Sequence, residues 1–291
     1  MNTQSFAAPA KLNLFLHVVG RRADGYHLLE SVFQLLDFGD TLDIAVRGDG
    51  ALRRIVELPG VAVEDDLVMR AAQLLKRHCG TALGADLALT KRIPIGGGLG
   101  GGSSDAATTL LALNRLWGLD LPRSELARLG LTLGADVPFF IFGRNAFVRG
   151  IGENLVPVDL PERWYVVLVP PCSVSTAAVF SSPDLTRNAK SVKIEDFPAC
   201  AWSFPAAEYR NDLQPVVCAE FAAVARLLAW LRGFDAEALI AARMSGSGAC
   251  VFAAFGSRDT AEAVLAQKPA DCGGFVTSGL ARHPLMDFAG D

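Results

Sequence analysis

The sequence predicts an α+β fold in two domains, and three observations support this. A chain of 291 residues is long enough for two domains of ordinary size. Strand-like and helix-like patterns mingle without the regular alternation that a parallel βαβ sheet would give. The apolar pattern restarts at the strand-like segment 165–169, just after Pro161. We therefore place the domains at residues 1–159 and 160–291.

Composition excludes several classes of protein. With 51% hydrophobic and 20% charged residues, the chain can bury a core and has no signature of disorder. Its net charge of −4 and the lack of a basic stripe argue against general nucleic-acid binding. The six cysteines form no C-x-x-C pair, and the four histidines form no metal-binding cluster. Without a recognisable signal peptide or a membrane-length apolar run, we expect a cytoplasmic protein with reduced thiols.

The elements of the first domain follow from periodicity and turn residues. Residues 10–19 alternate as a strand, and residues 28–43 have the mixed pattern of a second sheet element. Asp65 or Asp66 can cap the next helix, because its carboxylate would accept from free amides of the first turn. The other predicted elements are a hairpin over 46–60, the capped helix to about residue 77, a short helix over 123–129 and a strand region over 147–158.

The second domain shows the same mixture of patterns. Residues 165–169 form an apolar strand, and residues 181–198 are polar and predict a loop. Helices are predicted over 218–231, 235–244 and 260–267, and strands over 249–255 and 275–280.

The most informative stretch is the glycine-rich segment 94–104, PIGGGLGGGSS, which contains six glycines within seven residues. A strand-like alternation comes before it and helical spacing after it, so a helix should begin near Ser103 or Ser104, with serine as the cap. The helix dipole and unpaired amides would meet at one point, and glycines let a ligand approach the backbone. The segment therefore predicts a phosphate site.

Other glycine-loop enzymes fit this segment poorly. A dinucleotide fold requires a buried, nearly all-apolar strand before the loop, but Lys91 and Arg92 stand there. A Walker loop requires lysine after its last glycine, where this chain has Ser103. The V-A-I-K and H-R-D motifs of protein kinases are absent, and no G-x-S-x-G elbow indicates an acyl-serine hydrolase.

Two charged residues are candidates for chemistry. Asp136 lies among apolar residues in LGADVPFF, and such a carboxylate could accept a proton from a hydroxyl if a cation tuned it. Lys11 is a candidate for that cation and could also neutralise a phosphoryl group. On the residues alone, a turn or cap role for Asp136 stays open, as does a solvated edge for Lys11 and Asn13.

Three stretches together resemble the GHMP kinases, the superfamily of galactokinase, homoserine kinase and mevalonate kinase. They are PAKLNL at residues 9–14, the loop 94–104 and SGSGA at residues 245–249, in the order of the family. The segments RADGYH at residues 22–27 and LTLGADVP at residues 131–138 are similar to the members that act on methylerythritol linked to cytidine diphosphate. The resemblance covers nearly the whole chain.

The resemblance implies a two-domain fold with the active site in the cleft between the domains. It also implies ATP-dependent phosphorylation of the C2 hydroxyl of the cytidine-diphosphate-linked methylerythritol, a step of the non-mevalonate isoprenoid pathway. By the family pattern, Asp136 is the base on that hydroxyl, while Lys11 holds Asp136 ionised and bridges toward the γ-phosphate of ATP. Positioning and electrostatics would supply most of the rate.

The resemblance also implies the binding residues. Tyr26 and Phe180 match an aromatic pair that sandwiches cytosine, and His27 matches the residue that reads the hydrogen-bonding edge of the base. The remaining substrate pocket falls at Asn13, Phe33, Ile151 and Thr176. The ATP site falls at Asp66, Leu67 and Lys91 for the adenosine, and for the phosphates at Pro94, Ile95, Gly96, Gly97, Gly98, Leu99, Gly100, Gly101, Gly102, Ser103, Ser104 and Asp105.

The sequence leaves open the roles of two carboxylates and two other functions for the chain. Asp66 and Asp105 would repel ATP unless they turn away or help to hold Mg²⁺, which would otherwise be bound mainly by phosphates and water. One alternative is a superfamily kinase for mevalonate-type or homoserine-type alcohols, although these substrates have no base for Tyr26 and His27. The other is a silent ATP-binding protein or a dinucleotide-dependent oxidoreductase.

Overall fold

The protein is described from a computed structural model, which covers residues 2–192, 204–205 and 207–290. Within them the chain forms ten strands and eight α-helices. The strands are β1 Thr3–Arg21, β2 His27–Arg47, β3 Leu52–Arg54, β4 Gly84–Thr90, β5 Ala146–Gly150, β6 Asn154–Pro157, β7 Trp164–Val169, β8 Ile240–Met244, β9 Val251–Phe255 and β10 Gly273–Leu280. The helices are α1 Leu67–Cys79, α2 Gly101–Leu116, α3 Arg123–Leu131, α4 Val137–Phe142, α5 Thr176–Ser181, α6 Gln214–Glu220, α7 Ala222–Arg232 and α8 Arg258–Leu265.

The long strand β2 organises the sheet. It pairs antiparallel with β1 along its length, and its other edge pairs in turn with β5, β10 and β4. The strand path runs β3-β4-β2-β10-β7-β9-β8, so β10 links the N-terminal strands to those of the C-terminal half. The boundary that we predict between residues 159 and 160 falls between β6 and β7, and the division into two domains stays a prediction.

Strand β1 is buried on both of its faces. Leu12, Leu14 and Phe15 are all fully buried, although they alternate in direction along the strand. All three belong to one apolar cluster that also contains Phe147 of β5 and Phe252 of β9. Lys11 and Asn13 are therefore buried too, at 3% and 2% exposure, and the solvated-edge interpretation is wrong for both.

The start of α1 agrees with the sequence pattern, but the start of α2 does not. Asp66 accepts from the Val68 amide at 2.9 Å and begins α1, as the sequence predicts. The serine cap predicted for α2 is wrong, because that helix begins at Gly101, with Gly100 at its N-cap at a φ of +73°. Only a residue without Cβ adopts this backbone at little cost.

Two predicted elements are also wrong. The hairpin over 46–60 does not form, because β4 occupies the edge of β2 and β3 then pairs in parallel with β4. The segment predicted as a helix over 235–244 ends in strand β8, which pairs antiparallel with β9. Short apolar runs of this kind do not distinguish a helix from a strand by periodicity.

The loop predicted over 181–198 lies partly outside the described residues, since residues 193–203 are not among them. None of the described helices could by itself cross a membrane, and the pair α6 and α7 passes the length and composition test only jointly, with a bend of 120°.

Candidate active site

A cleft of about 1070 Å³ brings together the residues that the sequence suggests for the site. It is lined by segments from both halves of the chain, including the loop 94–103 and the turn 246–248. The predicted site residues on its wall are Lys11, Asn13, Tyr26, His27, Phe33, Asp66, Leu67, Lys91, Pro94, Ile95, Gly96, Gly97, Gly98, Leu99, Gly100, Gly101, Gly102, Ser103, Asp105, Asp136, Ile151, Thr176 and Phe180. Ser104 is the exception, because α2 begins at Gly101 and turns this side chain into the protein, where it is fully buried.

The glycine loop leads directly into the N-terminus of α2. Gly96, Gly98 and Gly100 have φ angles of +68°, +73° and +73°, which bend the chain sharply into the helix. Among the described residues, no side chain caps the first amides of α2. Those amides, which have no partner within the helix, are available to an anion, and the dipole of the 16-residue helix adds positive potential there.

The turn that follows β8 fixes the shape of this loop. The amides of Ala249 and Cys250 donate to the carbonyls of Gly96 and Gly97, each at 3.1 Å. The Ser245 hydroxyl donates to the next carbonyl in the loop, at 3.0 Å. Three successive loop carbonyls are thus held by one turn, which fixes the path of the loop along the cleft.

Lys11 and Asp136 meet beside this loop. The Nζ of Lys11 lies 3.5 Å from an Oδ of Asp136, and the backbone amide of Lys11 donates to the Leu99 carbonyl at 3.0 Å. Asp136 occupies the N-cap position of α4, yet its side chain makes no capping hydrogen bond to any described residue. Its side chain is 31% exposed and faces the cleft, so the carboxylate is available to a substrate hydroxyl.

A chain of hydrogen bonds orients the lysine. Lys11 donates to the Oδ1 of Asn13, whose amide nitrogen donates to the Ser31 hydroxyl at 3.0 Å. Ser31 in turn donates to the Phe15 carbonyl. The Lys11 ammonium also lies 4.7 Å from the centre of the Phe33 ring. These contacts hold a buried cation in one position between the loop and Asp136.

The two carboxylates that would repel ATP are turned toward cations. Asp66 caps α1 and lies 3.5 Å from the Arg54 guanidinium. Asp105 lies 2.8 Å from the ammonium of Lys91, which also contacts Asp40. Lys91 is therefore held between two carboxylates at the wall of the cleft.

Asp105 and Lys91, which lie together beside Asp40, have shifted pKa values. Burial raises the pKa of Asp105 to about 8, against the opposing effect of Lys91 and with a further contribution from Asp40. Burial alone would lower the pKa of Lys91, but the two carboxylates outweigh it and raise that pKa. The two carboxylates thus favour the charged form of Lys91, while burial makes Asp105 easier to protonate than an ordinary aspartate.

The opposite end of the cleft is aromatic. The His27 ring stacks on Phe180, with centroids 5.0 Å apart and planes at 29°. Tyr26 is 60% exposed, and Thr176 shares a hydrogen bond of 2.7 Å with the Ser247 hydroxyl. Phe180 thus presents one face to His27, and the exposed ring of Tyr26 lines the same cleft.

Models of the GHMP kinase domains match both halves of the chain. The GHMP kinases N terminal domain matches residues 66–144, and the GHMP kinases C terminal domain matches residues 204–271. A Burkholderia thailandensis protein named 4-diphosphocytidyl-2-C-methyl-D-erythritol kinase is 56% identical over 285 residues, which cover 97% of this chain and 96% of that protein. The chain belongs to the GHMP kinase family.

Solved structures agree with membership of the GHMP kinase family. The crystal structure of a 4-(cytidine 5'-diphospho)-2C-methyl-D-erythritol kinase matches with a TM-score of 0.75 and 34% identity, over 95% of this chain and 100% of that one. A homoserine kinase from Cytophaga hutchinsonii matches with a TM-score of 0.69 but 17% identity, over 97% and 96% of the two chains, and so shares the fold. Membership of the family implies the use of ATP.

Sequence reasoning missed Arg187, which lines this GHMP kinase cleft, and Asp40, which is buried and supports the lining residue Lys91. Asp40 contacts Lys91 and accepts from the Ile93 amide at 2.8 Å, just before the glycine loop in the chain. Arg187 donates to the His27 ring at 3.0 Å from a segment that the sequence predicts only as loop. Neither residue belongs to a motif, and only the tertiary fold brings it to the site.

Proposed function

We propose that this GHMP kinase transfers the γ-phosphoryl group of ATP to the C2 hydroxyl of 4-diphosphocytidyl-2-C-methyl-D-erythritol. The observation that carries the proposal is the arrangement of one cleft. The Lys11–Asp136 pair and the glycine loop line one part of it, and His27 and Phe180 line another. The relatives that share more than half of their residues with the chain carry the name of this kinase, which supports the same substrate.

In the proposed reaction, Asp136 accepts the proton of the substrate hydroxyl. The hydroxyl oxygen forms a bond to the γ-phosphorus as the bond to the β-phosphate oxygen breaks, and ADP leaves. Lys11 stabilises the ionised carboxylate at 3.5 Å and lies close enough to neutralise charge on the transferring group. Because little covalent work falls to the protein, its main tasks are positioning and charge stabilisation.

The ATP phosphates would bind the amides of the glycine loop and the first turn of α2. Among the described residues, no three His, Cys, Asp or Glu side chains come together as a metal site. Mg²⁺ would be bound by the phosphates and water, and when bound it would neutralise phosphate charge. The adenosine would lie near Leu67 and Lys91, where Asp66 and Asp105 are already paired with cations.

The cytosine would bind at the aromatic end, between Tyr26 and Phe180, with its edge toward His27. Asn13, Phe33, Ile151 and Thr176 would line the path of the methylerythritol. We also propose a cytoplasmic location, which the free thiols of the five described cysteines support.

A kinase of mevalonate or homoserine is less well supported. A solved mevalonate kinase is 14% identical to this chain and the homoserine kinase is 17% identical, which indicates the fold alone. Neither mevalonate nor homoserine has a nucleobase, so the aromatic end of the cleft would have no group to bind. The cytidine-linked substrate uses both parts of the cleft.

Release of ADP with three substrates tests the proposal. The purified protein is given ATP and Mg²⁺ with the cytidine-linked methylerythritol, with mevalonate or with homoserine. We expect kcat/KM for ADP release to be at least about 100-fold higher with the cytidine-linked substrate, because only that substrate has a nucleobase for the aromatic end to bind. A comparable or higher rate with mevalonate or homoserine would contradict the substrate assignment.

A further inference from the structure

Arg187 is fixed against the aromatic end of the cleft by backbone carbonyls. Its Nη1 donates to the Leu185 carbonyl at 3.0 Å. Its Nη2 donates to the carbonyls of Phe180 and Ser182, at 3.2 and 2.7 Å. Since a guanidinium is planar, these three bonds determine where its remaining donors point.

The Nε of Arg187 points at His27. It donates to the Nε2 of that ring at 3.0 Å. Guanidinium has no acceptor and does not lose its proton in proteins, so this hydrogen bond has only one direction. The Nε2 of His27 must therefore carry a lone pair, and the proton of the neutral ring lies on Nδ1.

Two further observations agree with a neutral, fixed ring. Stacking on Phe180 restrains the plane of His27. Burial lowers the pKa of His27, and the positive charges of Arg187 and Arg21 lower it further. A protonated ring would place an N–H against the N–H of Arg187, which the geometry disfavours.

A donor on Nδ1 distinguishes the two common pyrimidines. The N3 atom of cytosine has a lone pair and accepts, whereas the N3 atom of uracil carries a hydrogen and donates. An Nδ1–H donor therefore matches cytosine, while with uracil two donors would face each other and both would lose their hydrogen bonds with water. A donor that a bound base covers and leaves without an acceptor is costly, so the site would reject uracil.

We propose that Arg187 is a specificity-determining residue, which fixes His27 as the Nδ1–H tautomer and thereby selects a cytidine-linked substrate over a uridine-linked one. The inference rests on the proposed function, since it assigns His27 to the recognition of the cytosine ring. Arg187 acts through His27 and is a positioning residue, not a catalytic one.

The tautomer can be measured on the full chain without any substrate. Nitrogen-15 NMR of protein labelled at histidine distinguishes Nδ1–H from Nε2–H, and the His27→Gln variant identifies the His27 signals by their loss. We expect the Nδ1–H form in the wild-type protein. An Nε2–H form would overturn the proposal, and this result does not depend on whether Arg187 variants fold.

Selectivity provides the second measurement. The ratio of kcat/KM for the cytidine-linked substrate to that for its uridine-linked analogue should fall about tenfold or more in Arg187→Met. The fall should come mainly from a higher KM for the cytidine form, with kcat for that form within about twofold of wild type, because Arg187 does not contact the reacting atoms. An unchanged ratio would overturn the proposal.

Arg21→Met is the matched control. Arg21 also lines the cleft, but its Nε donates to the Gly25 carbonyl at 3.1 Å and not to His27. Removing this charge should change the cytidine-to-uridine ratio much less than removing Arg187 does, because Arg21 acts on His27 only through its charge. An equal fall in both variants would overturn the assignment to Arg187. A wild-type protein that phosphorylates neither substrate would contradict the proposed function, whereas the NMR result tests the tautomer independently of activity.

Discussion

At the scale of single residues, Asp136 is the group on which the proposed chemistry depends. It lies 3.5 Å from the buried ammonium of Lys11, with its side chain partly open to the cleft. The sequence identifies the apolar surroundings of Asp136, but a carboxylate at a helix start is often only a cap. The structure distinguishes the two cases, because no capping bond forms between Asp136 and the described residues.

Replacing Asp136 with asparagine should lower kcat by about 10² to 10⁴, since an amide does not accept the proton of the hydroxyl. ATP affinity should stay within about threefold, because the glycine loop and not Asp136 binds the phosphates. Steady-state kinetics and calorimetric titration with ATP measure the two effects. Asp65→Asn is the control, because Asp65 also lines the cleft and has no part in the proposed transfer. A kcat for Asp136→Asn close to that of Asp65→Asn would contradict the assignment of the base.

The sequence predicts the two proposed reacting residues better than the residues that hold them in position. Lys11 and Asp136 stand within recognisable motifs, so their identity follows from the chain alone. Their geometry depends on Asn13 and Ser31, which meet only when β1 and β2 pair. The burial of Lys11 could not be predicted either, because β1 is covered on both faces by packing between distant segments.

At the scale of elements, the glycine loop and the turn after β8 form one unit. Gly98 has a φ of +73°, and a Cβ added at this position would overlap the carbonyl oxygen of Ser245. A side chain there would both strain the backbone and force the turn away from the loop. The sequence shows many glycines, but it does not show which of them face another backbone.

Gly98→Ala should reduce the free energy of unfolding by more than the roughly 1–2 kcal/mol that left-handed backbone costs a residue with Cβ. It should also weaken ATP binding by about tenfold or more, because the loop amides move. Gly118→Ala is the matched control, since Gly118 has a φ of +63° but open space where a Cβ would lie. Urea unfolding and ATP titration compare the two variants. Equal losses of stability and unchanged ATP affinity would show that the loop does not depend on contact with the turn.

Asp105 on α2 should make stability depend on pH. Its folded pKa of about 8 lies above the ordinary value for aspartate, near 3.9, so the native state holds this proton more tightly than the unfolded state does. The stabilising contribution is full below about pH 4 and is lost as the pH rises through about 8. The free energy of unfolding of the wild type, relative to Asp105→Asn, should therefore fall between pH 5 and roughly 8.5.

Urea unfolding of both proteins over that pH range measures the difference. The asparagine variant keeps an oxygen that can accept from Lys91 but has no proton to lose. Identical pH dependence in the two proteins would contradict the raised pKa of Asp105. The carboxylate and its position are visible in the sequence, but its proximity to Lys91 and Asp40 is a property of the fold.

At the scale of the whole molecule, the two halves of the chain share a strand path and a cleft. The sequence predicts the α+β class and most elements, since long periodic segments and capped helices carry a local signal. It fails at β3 and β8, where the neighbouring strand decides the pairing. Arg187 shows the same limit at the site, because no local pattern predicts which side chain of a loop will reach His27.

The most direct test of the central claim is the identity of the phosphorylated product. Carbon 2 of the substrate carries a methyl group and no hydrogen, so a phosphate ester there gives a phosphorus-31 NMR signal without coupling to a proton across the ester oxygen. With ATP, Mg²⁺ and the cytidine-linked methylerythritol, we predict this uncoupled phosphomonoester signal, formed in equal amount with ADP. A proton-coupled ester, or ADP formed together with free phosphate and no ester, would contradict transfer to the C2 hydroxyl in this cleft.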